Sequence, residues 1–296
     1  MSPAAIGANT ATVLIGCTLF GAIAGAVGTF VLARRRALVA DVAGHAALPG
    51  VALGFLAGEA TGIGGRTPWI LLAGAATTAL LAAWSVPALA RLRRVGPDAA
   101  IAVALSGFFG LGAALFTVVQ SHESGAQGGL RGLLFGSAAG MTRGDLAVLL
   151  ALGAAVLAAL VVAFRGLALV AFDEDFARVA GVPVRRLDLL LTALVVVTVV
   201  AGMQVAGVVL VVALLVVPAA AARNLGGSIG GRIGRVTAVA ALLGAASAAT
   251  GASVSRATAG TPTGAAIALA AAAAFVVTLA AAPLAARQRA SAGDAA

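Results

Sequence analysis

Stretches of about twenty apolar residues recur from one end of the chain to the other, separated by short segments with charges, glycine or proline. At a rise of about 1.5 Å per residue, such stretches reach across a hydrocarbon core of about 30 Å as helices. Runs such as "LLLTALVVVTVVAG" are apolar on every side, whereas the strands of a transmembrane barrel alternate. The pattern predicts an all-α polytopic membrane protein of about 8 to 9 transmembrane helices. Nine spans are expected near residues 12–32, 38–58, 68–90, 99–120, 146–164, 187–202, 204–222, 234–253 and 263–283.

All nineteen basic residues are arginine, and their distribution along the chain predicts the orientation of these spans. With the amino terminus outside, fifteen of them lie on the cytoplasmic side. The four on the outer side are Arg66, Arg131, Arg143 and Arg256. Multi-pass proteins of the cytoplasmic membrane show this bias toward positive inner segments. The carboxyl terminus is then cytoplasmic as well.

The sixth and seventh spans share only about 35 residues, so each is barely long enough to cross. One long tilted helix over both is the alternative. It would carry Arg223, Arg232 and Arg235 to the outer side, against the bias of the other arginines. The sequence therefore favours two short or broken helices that meet at "AGMQVAG".

The composition fits a chain embedded in lipid, with 61% hydrophobic and 10% charged residues and a mean hydropathy of +1.11. The net charge of +9 does not indicate nucleic-acid binding, because the arginines lie between spans and not in one soluble patch. Residues 1–296 are predicted to form a single transmembrane domain, so any energy source or capture module must be another chain. Cys17 follows "LIG" as at a lipoprotein cleavage site, but no basic segment precedes it. Cys17 is therefore predicted to be a buried residue of the first span.

The segment "ADVAGHAALPG" places ionisable groups inside a predicted span. Asp41 and His45 are four residues apart and share one helix face. Pro49 has no N–H, so the carbonyl of His45 loses its usual helical partner. These donors suit a divalent ion such as Mn²⁺, Zn²⁺ or Fe²⁺, whereas copper(I) prefers cysteine and methionine. The structural alternative is that Asp41 caps the second span and His45 donates to a nearby carbonyl.

Other polar residues are weaker candidates. Glu59, His122 and Glu123 fall in outer loops, where they are solvated or help an ion to enter. Gln120 and Gln204 lie near span ends, where a carboxamide bonds to the backbone.

Two connecting segments carry further predictions. The outer segment 121–144 is rich in glycine but contains "LLFG", so it is predicted to pack back onto the bundle. Asp188 stands beside Arg185 and Arg186, so it is predicted to form a charge-paired cap with them.

The longest charged cytoplasmic stretch is "FRGLALVAFDEDFARVAGVPVRRLD". Within it, Asp173, Glu174 and Asp175 come before Arg178, Arg185 and Arg186, which predicts a short helix over 173–180 with acids in its first turn. Gly181 and Pro183 would end that helix. A soluble partner protein can bind a short amphipathic helix at the membrane surface. The alternative is that this segment is an ordinary connector between two spans.

Four stretches together resemble the membrane permease of ABC transporters for divalent transition metals. "DVAGHAALPGVALGF" resembles the Asp-x-x-x-His-x-x-Leu-Pro-Gly signature of the family's second helix. "LSGFFGLGAAL" followed by "GAQGGLRGLLFG" is similar to the fourth helix and the turn after it. "LVAFDEDFARVAGVPVRRLDLLL" resembles the segment that docks on the ATPase, and "GVVLVVALLVVPAAAARNL" the helix that follows. These stretches lie within residues 34–225, with a weaker match in "TPTGAAIAL".

The resemblance implies a bundle like that of type II importers, a homodimer, two ABC ATPase subunits inside and a metal-binding protein outside. No cofactor is permanently bound, the cargo is the metal ion, and ATP binds to the partner subunit. Asp41 and His45 would coordinate the ion, and Pro49 and Gly50 would kink the helix. Gly44 departs from the serine of many relatives. Within a coupling segment at 172–184, the residues near the ATPase would be Phe172, Asp173, Asp175, Phe176, Ala177 and Gly181.

Other functions stay open at this point. An intramembrane hydrolase would use Asp41 and His45 as base and orienting group, with Ser137 or a metal-bound water as nucleophile, although the chain has no HExxH motif. A stand-alone secondary transporter would be expected to show inverted repeats and several intramembrane acids, which the sequence lacks. Within the family, an exporter or a permease for a chelated metal or another substrate is the remaining alternative.

Overall fold

The computed structural model describes residues 3–65, 67–92, 95–121, 141–226, 233–258 and 261–293. Within these ranges the chain is helical and contains no strand, which confirms the all-α prediction. The helices are α1 (Pro3–Ala33), α2 (Ala37–Ala60), α3 (Pro68–Ala90), α4 (Pro97–Ser121), α5 (Arg143–Phe172), α6 (Glu174–Val179), α7 (Val184–Gly226), α8 (Ile233–Ala257) and α9 (Thr263–Gly293).

Eight helices of the described ranges are long and apolar enough to cross a membrane. A shorter apolar helix, Leu210–Leu225, follows the sixth of them. The fifth span is longer than predicted, because α5 runs from Arg143 to Phe172 and does not end near residue 164. A single arginine at position 165 does not stop a helix whose next turns bury Leu167 and Val170.

Helix α7 is broken at Gly207, whose φ of 75° and ψ of 160° are not helical. Glycine suits this position because residues with a Cβ rarely adopt a positive φ. We call Val184–Met203 the first arm of α7 and Leu210–Leu225 the second arm. The break lies inside "AGMQVAG", where the sequence predicts it.

The two arms run in opposite directions beside α1. Nine residues of straight helix span about 13.5 Å, yet a Cβ on Gly202 would lie 2.6 Å from a methyl carbon of Val211. The same Cβ would touch the ring of Phe20 in α1. The second arm passes Gly28, further along α1, where a Cβ would overlap the carbonyl oxygen of Leu215. The chain therefore turns back at Gly207, and the single long helix is excluded.

Helix α1 contacts its neighbours at glycine positions, where the missing side chain leaves room for the backbone of another helix. A Cβ on Gly21 would overlap the carbonyl of Gly244 in α8, and one on Gly25 would overlap the carbonyl of Ala240. Small residues four apart let two membrane helices approach closely. Cys17 is 1% exposed in the same core, which confirms that it is a buried residue of the first span.

Helix α2 is held between α3 and α4. Gly50 and Gly74 face each other so closely that a Cβ on either would overlap the carbonyl oxygen of the other. On the α4 side, a Cβ on Gly112 would lie 2.9 Å from the Cδ of Pro49. The helix continues through Pro49 without a break from Ala37 to Ala60. The kink that the sequence predicts there stays a prediction.

One end of the bundle collects the α1–α2 connection, the helix α6 and the start of α7. We call it the arginine-rich end, after Arg34, Arg36 and Arg178, which pair with acids there. Of the predicted outer segment 121–144, residues 122–140 lie outside the described part of the chain, so its packing stays a prediction.

Candidate metal site in the second helix

Asp41 and His45 lie within α2 and not at its end. The helix begins at Ala37 with Arg36 in the N-cap position, so Asp41 stands in the second turn and does not cap it. Counting about 1.5 Å per residue, Asp41 lies about 6 Å and His45 about 12 Å along the axis from the start of the helix. The capping alternative is therefore wrong, and both side chains belong to the interior of a membrane-spanning helix.

The two side chains face each other at a distance that suits two ligands of one ion. His45 Nε2 lies 3.5 Å from Asp41 Oδ1, longer than a normal hydrogen bond. Two donors that are each about 2.1 Å from a Zn²⁺ ion at a tetrahedral angle are about 3.4 Å apart. The side chains of His45 and Asp41 are 26% and 34% exposed, so both reach open space.

The imidazole of His45 is oriented by packing. Its ring stands edge to face against Phe109 of α4, with centroids 5.3 Å apart and planes at 90°. Its Nδ1 is buried and has no hydrogen-bond partner among the described residues. The alternative in which His45 donates to a nearby carbonyl is therefore not what the structure shows. Sequence reasoning missed Phe109, because nothing in the pattern of α4 signals a contact with a residue 64 positions earlier.

One copy of the chain supplies an incomplete site. The described residues contain no group of three or more His, Cys, Asp or Glu side chains that could hold a metal ion. Asp41 and His45 thus offer two ligands where structural and catalytic zinc sites use three or four. The missing ligands must come from water, from a backbone carbonyl or from another chain.

Of the other polar candidates, Glu59 lies at the far end of α2 from this pair. Glu59 Oε1 accepts a hydrogen bond of 2.9 Å from the N–H of Gly65, so it orders the α2–α3 connection. Gln120 has a partner of its own. The side chain of Gln204 and all of His122, Glu123 and Ser137 lie outside the described part.

The prediction that Asp188 is charge-paired is confirmed, but its predicted partners and its predicted place as a cap are wrong. Its carboxylate pairs with Arg34 at 3.1 Å and Arg36 at 2.9 Å, and not with Arg185 or Arg186 beside it. Arg186, two residues before Asp188 on the same helix, does not face it. The α1–α2 connection instead brings the guanidinium groups of Arg34 and Arg36 to the carboxylate across the packing interface. The 152 and 154 positions between the partners explain why the sequence alone does not reveal them.

The short helix predicted over 173–180 is α6, Glu174–Val179. Asp173 Oδ1 caps it by accepting a hydrogen bond of 2.9 Å from the N–H of Phe176. Gly181 follows it with a φ of 78°, so a glycine ends it as expected. Phe176 is 58% exposed. Ala177 instead is 0% exposed, so it belongs to the packing of the helix and not to its outward face.

The model of the family described as "ABC 3 transport family" matches residues 8–282. The chain belongs to this family. The match covers most of the sequence and confirms the resemblance seen in the four motif stretches. With this membership and the transmembrane helices of the described ranges, the chain is a multi-pass protein of the cell membrane.

This chain is similar to relatives that are named for metal transport. It is 40% identical over 216 residues to the manganese transport system membrane protein MntC of Bacillus subtilis, covering 73% of this chain and 48% of that protein. The chain thus spans about half of that relative. It is 34% identical over 243 residues to the zinc transport system membrane protein TroC of Treponema pallidum, covering 82% and 78%. The structure of PsaBC from Streptococcus pneumoniae in complex with Fab matches with a TM-score of 0.78 and 30% identity, covering 90% of this chain and 89% of that one.

Proposed function

We propose that the chain is the permease subunit of an ATP-driven importer that moves a divalent transition-metal ion across the cytoplasmic membrane. The observation that carries the proposal is the Asp41 and His45 pair within a membrane-spanning helix, 3.5 Å apart and open on one side. Ionisable groups inside the membrane are expensive, and they mark ion pathways. The relatives named for manganese and zinc transport support the class of cargo.

The chemistry of the donors narrows the cargo to Mn²⁺, Zn²⁺ or Fe²⁺. A carboxylate and an imidazole suit hard and borderline divalent ions. The thiolates and thioethers that hold copper(I) are absent from this part of α2. A transport site must also release its ion, so the ion must be bound weakly enough to leave.

A second copy of the chain completes the site. One exposed face of α4 carries a stripe of small or polar residues, which are Ser106, Gly110, Ala113 and Thr117. Such a face suits close contact with another helix. Phe109, which touches His45, is 47% exposed beside it. In a dimer across this face, each copy supplies one Asp41 and one His45 to a shared ion.

The arginine-rich end is the cytoplasmic end in this proposal, with the amino terminus outside. Exposed apolar side chains then point toward a soluble ATPase subunit, and these are Phe176 and Val179 of α6 and Phe172 at the end of α5. An extracytoplasmic metal-binding protein would deliver the ion at the opposite end. ATP binding to the partner would change the position of α6, and alternate opening of the two ends would let Asp41 and His45 accept and release the ion.

Uptake by proteoliposomes tests the proposal. The liposomes contain this chain with its ATPase and metal-binding protein, and uptake of Mn²⁺, Zn²⁺ and Fe²⁺ is measured by mass spectrometry with and without ATP. We expect uptake of at least one of these ions only with ATP. Equal uptake in the absence of ATP would indicate a channel or secondary transporter instead, and uptake of none of them would contradict the cargo.

Phe109→Leu should weaken metal binding without removing a ligand. An edge-to-face aromatic pair contributes about 0.5–1.5 kcal/mol, so losing it corresponds to a rise of about two- to tenfold in the half-saturating metal concentration. The maximal rate should change little, because Asp41 and His45 remain. Leu111→Ala, at an exposed position of the same helix, is the control. An unchanged half-saturating concentration in Phe109→Leu would show that the aromatic contact does not orient the imidazole.

A further inference from the structure

Arg34 joins four parts of the fold at the arginine-rich end. It lies between α1 and α2, and its side chain is 13% exposed. Its Nη1 donates to the carbonyl of Val170 in the last turn of α5 at 3.1 Å. Its Nη2 lies 2.8 Å from Oε2 of Glu174 in α6 and 3.1 Å from Oδ1 of Asp188 in α7. A planar guanidinium with five donors is suited to such a junction.

The connection that carries Arg34 is short and tightly hydrogen-bonded. Only three residues separate α1 from α2, and Arg35 adopts a left-handed φ of 54°. The N–H of Arg34 donates to the carbonyl of Phe30, and that of Arg36 to the carbonyl of Val31, each at 2.9 Å. These two bonds hold the connection to the end of α1, and the N–H of Val39 in the first turn of α2 donates to the carbonyl of Arg36 at 3.0 Å. A displacement of Arg34 therefore also reaches the first turn of α2, and Asp41 lies seven residues further along the chain.

Helix α6 meets this connection through one side chain. Glu174 is the residue of α6 whose carboxylate reaches Arg34, and its side chain is 34% exposed. The hydrogen bond from Arg34 holds the pKa of Glu174 below its ordinary value, so the carboxylate is ionised at neutral pH. Asp175, the next residue, is 91% exposed and pairs with Arg178 of the same helix. Two adjacent acids thus differ in whether they connect α6 to the bundle.

We infer that the Arg34–Glu174 ion pair is the link through which movement of α6 reaches the metal-binding helix α2. Arg34 and Glu174 are positioning residues, since neither touches the ion. Arg36, paired with Asp188 at 2.9 Å, holds the start of α2 against α7 while the link acts. The inference rests on the proposed function, because it assigns to α6 the contact with the ATPase and to α2 the contact with the ion.

The test is the number of metal ions transported for each ATP hydrolysed, in proteoliposomes with the ATPase and the metal-binding protein. Glu174→Gln removes the ion pair with Arg34, together with the pairing of Glu174 with Arg178, and keeps the size of the side chain. We expect it to lower the ratio at least fivefold, with the rate of ATP hydrolysis within twofold of wild type. Asp175→Asn is the matched control and should keep the wild-type ratio. A loss of general stability would lower both rates together and leave the ratio unchanged.

Arg34→Gln breaks the same link from the side of α2, so either variant that assembles with the ATPase decides the question. A wild-type ratio in an assembled Glu174→Gln or Arg34→Gln complex would overturn the inference. So would an equal fall of the ratio in Asp175→Asn, since charge on α6 and not the contact with Arg34 would then be responsible. If the wild-type protein itself shows no ATP-dependent uptake, the proposed function fails instead, and the two failures are distinguished.

Discussion

Asp41→Ala and His45→Ala should each lower ATP-dependent metal uptake at least a hundredfold. Each change removes one of the two side-chain ligands that a copy supplies, and in a symmetric dimer it removes two from the shared site. Loss of a residue that only supports a metal ligand already costs about 10- to 100-fold in affinity or activity. Loss of the ligand itself should cost at least as much.

The measurement is uptake of the ion that wild-type proteoliposomes carry, over a range of metal concentrations. Asp98→Ala is the matched control, because Asp98 is an exposed carboxylate in the first turn of α4, outside the site. It should transport at the wild-type rate. Each variant is also checked for assembly with the ATPase, which the site does not contact. Uptake by assembled His45→Ala within twofold of wild type would place the ion path elsewhere in the bundle.

The pairing of Asp41 with His45 is predictable from the sequence because the two residues lie close together in the chain. A spacing of four residues puts two side chains on one face of any helix, and the residue types alone indicate the class of ion. The same holds for α6, where the order of charges and Gly181 mark a helix of a few residues. The break in α7 was also predictable, since the arginines that flank it constrain which end of the bundle each arm reaches.

The partners of these residues were not predictable. Spans that are apolar on every side have no single buried face, so the sequence does not say which helix each one touches. Phe109 looks like any other aromatic of a membrane helix, and its contact with His45 depends on how α2 and α4 cross. Asp188 is similar, since its adjacent arginines are plausible partners and the actual ones lie on a distant connection. The small residues of α1 were the available signal for packing, because glycines four apart favour close helix contact.

Gly25→Ala should destabilise the bundle, although alanine is the better helix former. The new methyl group would overlap the carbonyl oxygen of Ala240, a backbone atom of α8 that cannot rotate away. Overpacking of this kind costs about 1–3 kcal/mol. For a chain of this size, that corresponds to a fall of about 5 °C in the midpoint of thermal unfolding in detergent.

Gly234→Ala, near the start of the same α8, is the matched control. Its new methyl group would lie 3.5 Å from the ring of Phe164, an ordinary contact. Because alanine is favoured over glycine in helices by up to about 1 kcal/mol, this variant should be as stable as wild type or slightly more stable. The two substitutions are chemically the same. Opposite changes in the midpoint of thermal unfolding would therefore show that the close approach of α1 to α8 causes the effect at Gly25. Equal midpoints for both variants would show that the helices can separate at Gly25 at little cost, and that the core of the bundle is held elsewhere.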